Sequence, residues 1–192
     1  LLEQLTASLH PAHEIEVEDE RGFSDTLTDH REAAVLVPIT QRPNPGVILT
    51  QRPDWLKSHP GQVAFPGGKI DAGDQDEIDA ALREAEEELA MPRDAVEIVG
   101  TADVYYSGSG FAITPVVGLI PPDLNLVPCP GEVQDWFEVP LEFLFDRRNA
   151  VMQEAFYKGK QRRYYDIQWE DRRIWGVTAG IISNLVRRIE AL

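Results

Sequence analysis

The chain has 192 residues, 18 Lys and Arg against 33 Asp and Glu, a net charge of −15 and one cysteine, Cys129. That length suits one domain with a core large enough to fold without crosslinks, and the single thiol excludes an intramolecular disulfide framework or a multi-thiolate zinc site, so a reducing, cytoplasmic setting is expected. The acid excess excludes a general nucleic-acid coat, and no apolar run reaches the ~18 residues that a membrane span needs, so neither nucleic acid nor membrane is expected as a partner.

In chain order, Leu1, Leu5 and Leu9 form a helical stripe, a candidate docking or homodimer surface. Residues 10–31 are polar and acidic and read as a loosely held arm, so the expected division is an N-terminal helix and arm over 1–31 and a folded domain over 32–192. Short apolar runs at 33–39 and 47–50, separated by Pro43-Asn44-Pro45-Gly46, predict two strands joined by a turn. Further strands are predicted at 97–104, 113–120, 135–139, 151–156 and 163–169, and helices at 78–89, 141–145 and 177–191. Strands that alternate with helices predict an α/β fold, a mixed sheet covered by helices.

The negative charge is local. Residues 70–100 hold 11 acids against 2 bases, a net −9, and residues 1–31 a net −6. Within the helix, Ile78, Ala81, Leu82, Ala85 and Leu89 define the buried stripe, which leaves Glu84, Glu87 and Glu88 as neighbours on the other face. Like charges at that spacing repel by ~0.2–0.5 kcal/mol per pair. The repulsion is tolerable on a wet, merely charged face, and it turns favourable if divalent cations sit between the carboxylates. Phe65-Pro66-Gly67-Gly68 delivers a glycine turn to that face, where a phosphate chain has room to approach. Arg52, Lys57, His59 and Lys69 are the positive groups beside it, a set that suits a metal-bridged anion.

Gly68-Lys69-Ile70-Asp71-Ala72-Gly73-Asp74, followed by Arg83-Glu84-Ala85-Glu86-Glu87-Glu88-Leu89-Ala90-Met91, resembles the Nudix box. Asp74 stands where the first Glu is usual, one extra residue precedes Arg83, and Ala90 replaces the final Gly. Leu49-Thr50-Gln51-Arg52 and His59 through Gly68 resemble the motif upstream of the box in the coenzyme A diphosphatase branch, as do Ile113 to Gly118 and Trp175 to Ala179. The resemblance implies an α/β/α sandwich with a loop-helix catalytic box. It implies Mg²⁺ or Mn²⁺ held by Glu84, Glu87 and Glu88 with Gly68, Arg83 orienting the acids, and Glu84 as the preferred base. The implied reaction is hydrolysis of coenzyme A and acyl derivatives to 3′,5′-ADP and 4′-phosphopantetheine; ADP-ribose, a dinucleotide or a nucleoside triphosphate is the alternative substrate, and a non-catalytic nucleotide sensor the alternative class.

Glu132, after Pro128-Cys129-Pro130-Gly131, resembles a loop glutamate of that branch and reads either as an exposed acid or as a distal metal ligand. The segment Tyr105 to Phe111 offers ring surface for adenine, Phe111 above all, against core packing by the tyrosines. Trp169 and Trp175 read as core anchors, and His10, His13 and His30 have no ligand spacing. The pairs Arg147-Arg148, Arg162-Arg163, Arg172-Arg173 and Arg187-Arg188 are solvated surface or a seat for a 3′-phosphate.

Overall fold

Alternation along β1 (Arg31–Thr40) sets the architecture. Ala33, Val37 and Ile39 lie in one buried cluster and Ala34 and Leu36 in a second, so both faces of the strand need a cover. The structure, a computed structural model, describes residues 1–9, 15–19, 30–157 and 160–192. In it β1 runs parallel to β7 (Phe111–Ile120), in register from Arg31 opposite Phe111 to Thr40 opposite Ile120. On its other side it is antiparallel to β2 (Gly46–Gln51) and, at its start, to β4 (Gly67–Lys69). β2 also carries β3 (Val63–Ala64) and β8 (Asp135–Pro140), and β7 carries β5 (Glu97–Thr101) and β6 (Tyr105–Tyr106), which completes a mixed sheet.

Helices close both faces. Ala80, Ala81, Ala85 and Leu89 of α2 (Glu77–Leu89) meet Ala34, Leu36, Val116 and Ile120, while Ile181, Ile182 and Leu185 of α4 (Val177–Glu190) meet Val37, Ile39, Leu49 and Val117. The result is the expected α/β sandwich. β6 lies close under α4: a Cβ on Gly180 would fall 2.5 Å from the Tyr105 ring, so the strand and helix approach only because that position has none.

After the short α3 (Leu141–Leu144), strands β9 (Ala150–Tyr157), β10 (Lys160–Trp169) and β11 (Arg172–Trp175) form a second, antiparallel sheet in the order β11-β10-β9. Ile167 and Ile174 plug it into the α4 cluster. The Arg172 guanidinium clamps it to the main sheet: it donates to Gln51 and to Asp135 Oδ2 at 2.6 Å, and lies 4.8 Å from the Phe137 ring centre. The strands expected at 151–156 and 163–169 are therefore real and longer, while β3, β4, β6 and β11 were too short for a hydrophobic period to reveal.

Two expectations for the N-terminus need correction. Leu5 and Leu9 of the stripe are buried in the α4 cluster, where α1 (Leu2–Ser8) lies against α4, so two of its three leucines serve the core and only Leu1 stays exposed. Arg188, 7% exposed, fixes the helix there by pairing with Asp103 at 2.5 and 2.7 Å and donating to the Ser8 carbonyl at 2.5 Å. The arm is likewise not loose over its described part. Glu18 exchanges two backbone-to-side-chain hydrogen bonds with Asn184, at 3.1 Å each, and its carboxylate meets Arg187 and the Tyr165 hydroxyl. His10 and His13 lie outside the described residues, and His30 meets the edge of Tyr106.

The helix that carries the acids has definite ends. Asp76 caps its N-terminus by accepting from the Asp79 N–H at 2.8 Å. Ala90 ends it in the left-handed conformation, φ 52°, with its N–H returned to Ala85 and Glu86 carbonyls. A Cβ makes that conformation costly, so Ala90, where the motif it resembles has glycine, is a local strain. Ala90→Gly is expected to stabilise the protein by about 0.5–1 kcal/mol in urea denaturation, with no change in the site; a loss of stability would show that the left-handed turn is not strained.

Candidate active site

The fold brings three carboxylates from two places to one point. Glu84 and Glu88 are one turn apart on α2, and Glu132 arrives from the loop before β8. One oxygen of each lies within 4.8 Å of the others. The Glu132 loop is tied to the helix by its own backbone. The Cys129 N–H donates to the Glu88 carbonyl at 2.8 Å, and the Cys129 carbonyl accepts from Glu132 and Val133 at 3.0 and 2.8 Å. Cys129 thus serves as a backbone bridge between two of the acids.

Their electrostatics are those of an unneutralised cluster. Burial pushes Glu88 up to about 8, with the charges of Glu84 and Glu132 adding to it, against the Gly67 N–H at 3.3 Å and the positive charge of Arg52. Burial likewise raises Glu84, opposed by its bond to Arg83 and reinforced by the charges of Glu87 and Glu132. Three convergent carboxylate oxygens, one of them too buried to ionise easily alone, are a donor set for a hard divalent cation. Gly68 makes the space: a Cβ there would lie 2.3–2.7 Å from the Glu84 carboxylate.

Arg83 fixes the group from behind. Its Nε and Nη2 donate to the two Asp74 oxygens at 2.8 and 3.0 Å, its Nη1 to Glu84 at 2.9 Å and Glu87 at 3.1 Å, and its Nη2 also to the Lys69 carbonyl at 3.0 Å. The guanidinium pulls Asp74 down to about 2, helped by the Asp71 N–H. Asp74, with one extra residue before Arg83, thus reaches the guanidinium with both of its oxygens. The departure is absorbed by the loop.

The NUDIX domain family matches residues 30–158. The chain belongs to the Nudix hydrolase family. It is 46% identical over 161 residues, 84% of each chain, to the uncharacterized Nudix hydrolase NudL of Escherichia coli, and equally to that of Shigella boydii. Among solved structures, a Nudix hydrolase of M. smegmatis, RenU, superposes with a TM-score of 0.51 at 23% identity over 59% of this chain and 73% of that one. A C. elegans Ap4A hydrolase does so at 0.50 and 23% over 58% and 81%. These likenesses establish the fold, and the family makes this a hydrolase of pyrophosphate bonds that acts on a small nucleotide. Nudix hydrolases work with divalent metal ions, and Glu84, Glu88 and Glu132 suit one.

Within this Nudix hydrolase the expected site residues separate into groups. Glu84, Glu88, Glu132, Gly68 and Arg83 come together as described. Glu87 turns to Arg83 and stays half exposed, outside the group of three carboxylates, because Arg83 one turn before it offers a nearer countercharge. Arg52, after β2, is close enough for its charge to act on Glu88, and among the described residues its buried Nε has no hydrogen-bond partner. Lys57, His59 and Lys69 are exposed, and Lys69 supplies the carbonyl that Arg83 uses. Phe111 does not join them. It packs on the α4 face of the sheet, opposite α2, with the Arg31 guanidinium 4.0 Å over its ring.

The paired arginines are mostly spent on carboxylates: Arg147 on Glu190, Arg148 on Asp146, Arg163 on Glu154, Arg172 on Asp135, Arg173 on Asp166, Arg187 on Glu18 and Arg188 on Asp103. Of the tryptophans, Trp169 meets Phe143 and packs on the core, whereas Trp175 is more exposed and meets Tyr164. The sequence reading missed the link from Arg172 through Gln51 and Asp135 to the loops that hold Arg52 and Glu132. No local pattern announces it.

The charge on Glu88 has a measurable sign. Its native value near 8 lies above the ordinary 4.5, so between these pH values the native state keeps a proton that the unfolded chain gives up, and stability falls as pH rises. In metal-free urea denaturation, the stability of wild type relative to Glu88→Gln should fall by a few kcal/mol from pH 5 to pH 8. A difference constant across that range would mean that Glu88 ionises normally.

Proposed function

We propose that the chain hydrolyses the diphosphate linkage of coenzyme A and its acyl derivatives to 3′,5′-ADP and (acyl-)4′-phosphopantetheine, in the cytoplasm, with Mg²⁺ or Mn²⁺ held by Glu84, Glu88 and Glu132. One observation carries the choice of substrate. The segment that resembles the coenzyme A branch is the wall of the carboxylate cluster: Arg52 acts on Glu88, the Gly67 N–H bonds Glu88, and Gly68 abuts Glu84.

The bound cation would neutralise the diphosphate and lower the pKa of a water. The chain's own residues do the rest. Water forms a bond to one phosphorus as the bridging P–O bond breaks, and its proton passes to Glu84, the preferred base. Burial raises the proton affinity of Glu84, which suits a base working near neutral pH, and Arg83 keeps the carboxylate from swinging out of place. Arg52, with Lys57, His59 and Lys69 at the rim, offers positive charge to the diphosphate oxygens. Glu87 acts through Arg83, whose charge it shares.

The test is turnover of coenzyme A, acetyl coenzyme A, ADP-ribose, NADH and a nucleoside triphosphate with Mg²⁺ or Mn²⁺, with products separated by chromatography. Release of 3′,5′-ADP is expected from coenzyme A. Glu84→Gln should lower kcat by at least about 100-fold, as loss of a general base does. Gly68→Ala, which moves Glu84 without removing it, should lower activity and weaken Mn²⁺ binding measured by electron paramagnetic resonance. Turnover of ADP-ribose alone would replace the substrate, and binding without turnover of any compound would make the chain a sensor.

A further inference from the structure

Trp55 is 69% exposed, a large apolar ring left in solvent on the loop between β2 and β3. Among the described residues its ring has no aromatic or cationic neighbour and its indole N–H no acceptor. A single exposed ring is no anomaly on a protein surface, but an indole held on a built turn beside the site's loops offers a flat face on which a base can stack.

The loop beneath the ring is built, not slack. The Leu56 N–H closes a turn on the Pro53 carbonyl at 3.3 Å, which puts Trp55 at its third position, and Pro53 is buried. The Arg52 N–H donates to the Gln62 carbonyl at 3.0 Å, closing the neck of the loop. The Asp54 N–H donates to the Gln134 side chain at 3.2 Å, two residues from Glu132, and the Gln134 N–H in turn donates to the Gln51 carbonyl at 2.8 Å. The turn that carries Trp55 is therefore stapled to the loop that carries Glu132.

Its place relative to the acids follows. Trp55 is the third residue after Arg52, so their Cα atoms are at most about 11 Å apart. Arg52 follows β2, whose last residue, Gln51, accepts from the Gln134 N–H on the Glu132 loop. An exposed indole, next in sequence to Asp54 and followed by the exposed Lys57 and His59, is thus carried on a turn bonded to the same loop that brings Glu132 to the carboxylates.

From this geometry we infer that Trp55 is the stacking plate for the purine ring of the nucleotide. It holds the adenine half of the substrate while the cluster works on the diphosphate. The flat face tolerates any base in principle, and the large purine covers most of it. The inference rests on the proposed site of hydrolysis but not on the identity of the group beyond the diphosphate.

The two halves of the proposed substrate make the test. Wild type, Trp55→Ala and Trp55→Phe are titrated with 3′,5′-ADP and with 4′-phosphopantetheine in the presence of Mg²⁺ by calorimetry. Trp55→Ala should weaken 3′,5′-ADP by about tenfold, the size expected for one lost stacking contact, and leave 4′-phosphopantetheine within about twofold. Trp55→Phe, which keeps a ring, should restore most of the affinity. With a turned-over substrate, Trp55→Ala should raise KM with little change in kcat. Unchanged 3′,5′-ADP affinity in Trp55→Ala, loss on the phosphopantetheine half instead, or no rescue by Phe would each overturn the assignment. If coenzyme A is not hydrolysed, the same titrations with ADP-ribose decide the matter separately: a Trp55-dependent affinity keeps the plate and rejects only the substrate. Wild type that binds neither adenine compound overturns it.

Discussion

The arginine behind the acids is the constraint on which the site depends. Arg83 is mostly buried and gives hydrogen bonds to Asp74, Glu84, Glu87 and the Lys69 carbonyl, so one planar group ties the glycine turn, the loop after it and helix α2 into one piece. A lysine has no such fork and could not meet these acceptors together. Since Glu84 is one of them, its position is set by the loop as much as by the helix. Glycine at 67 and 68 completes that arrangement by letting the turn pass against Val35 on one side and the Glu84 carboxylate on the other.

Around that fixed point the protein concentrates charge it cannot easily bear. Burial and then the neighbouring carboxylates raise both Glu88 and Glu84, while Arg83 divides its donors among Asp74, Glu84, Glu87 and the Lys69 carbonyl. An arrangement that is unfavourable alone and favourable with a cation couples occupancy to order: the free energy of binding includes relief of the repulsion. The net charge of −15 is in part this cluster. Part of the remaining acid has a separate use, since Glu18 and Asp103 hold Arg187 and Arg188 on α4.

The parts legible in the sequence share a physical property: they are local. The helix face of Glu84, Glu87 and Glu88 follows from a 3.6-residue period, and the two main strands from short apolar runs bounded by turns. For Glu87, spacing places the Cβ on the acid face but cannot say which neighbour its carboxylate meets, and in the structure that neighbour is Arg83. The stripe of Leu1, Leu5 and Leu9 was legible as amphipathic, yet its partner α4 begins 168 residues later than Leu9, so burial could not be told from a docking surface. Glu132 was found by resemblance alone. The Arg172 clamp, reaching Gln51 across 121 residues and Asp135 across 37, leaves no trace in any window.

The clamp also separates a boundary of kinship from a boundary of folding. The family match ends at residue 158, whereas α4 and the Arg172 strand lie beyond it. Without them Val37, Ile39, Leu49 and Val117 would lose the helix that covers them, and the ends of β2 and β8 would lose their shared cation. The matched stretch is the part that carries the chemistry; the part that folds is larger. Transplanting the box into another chain would move the acids without the scaffold that brings Glu132 to them.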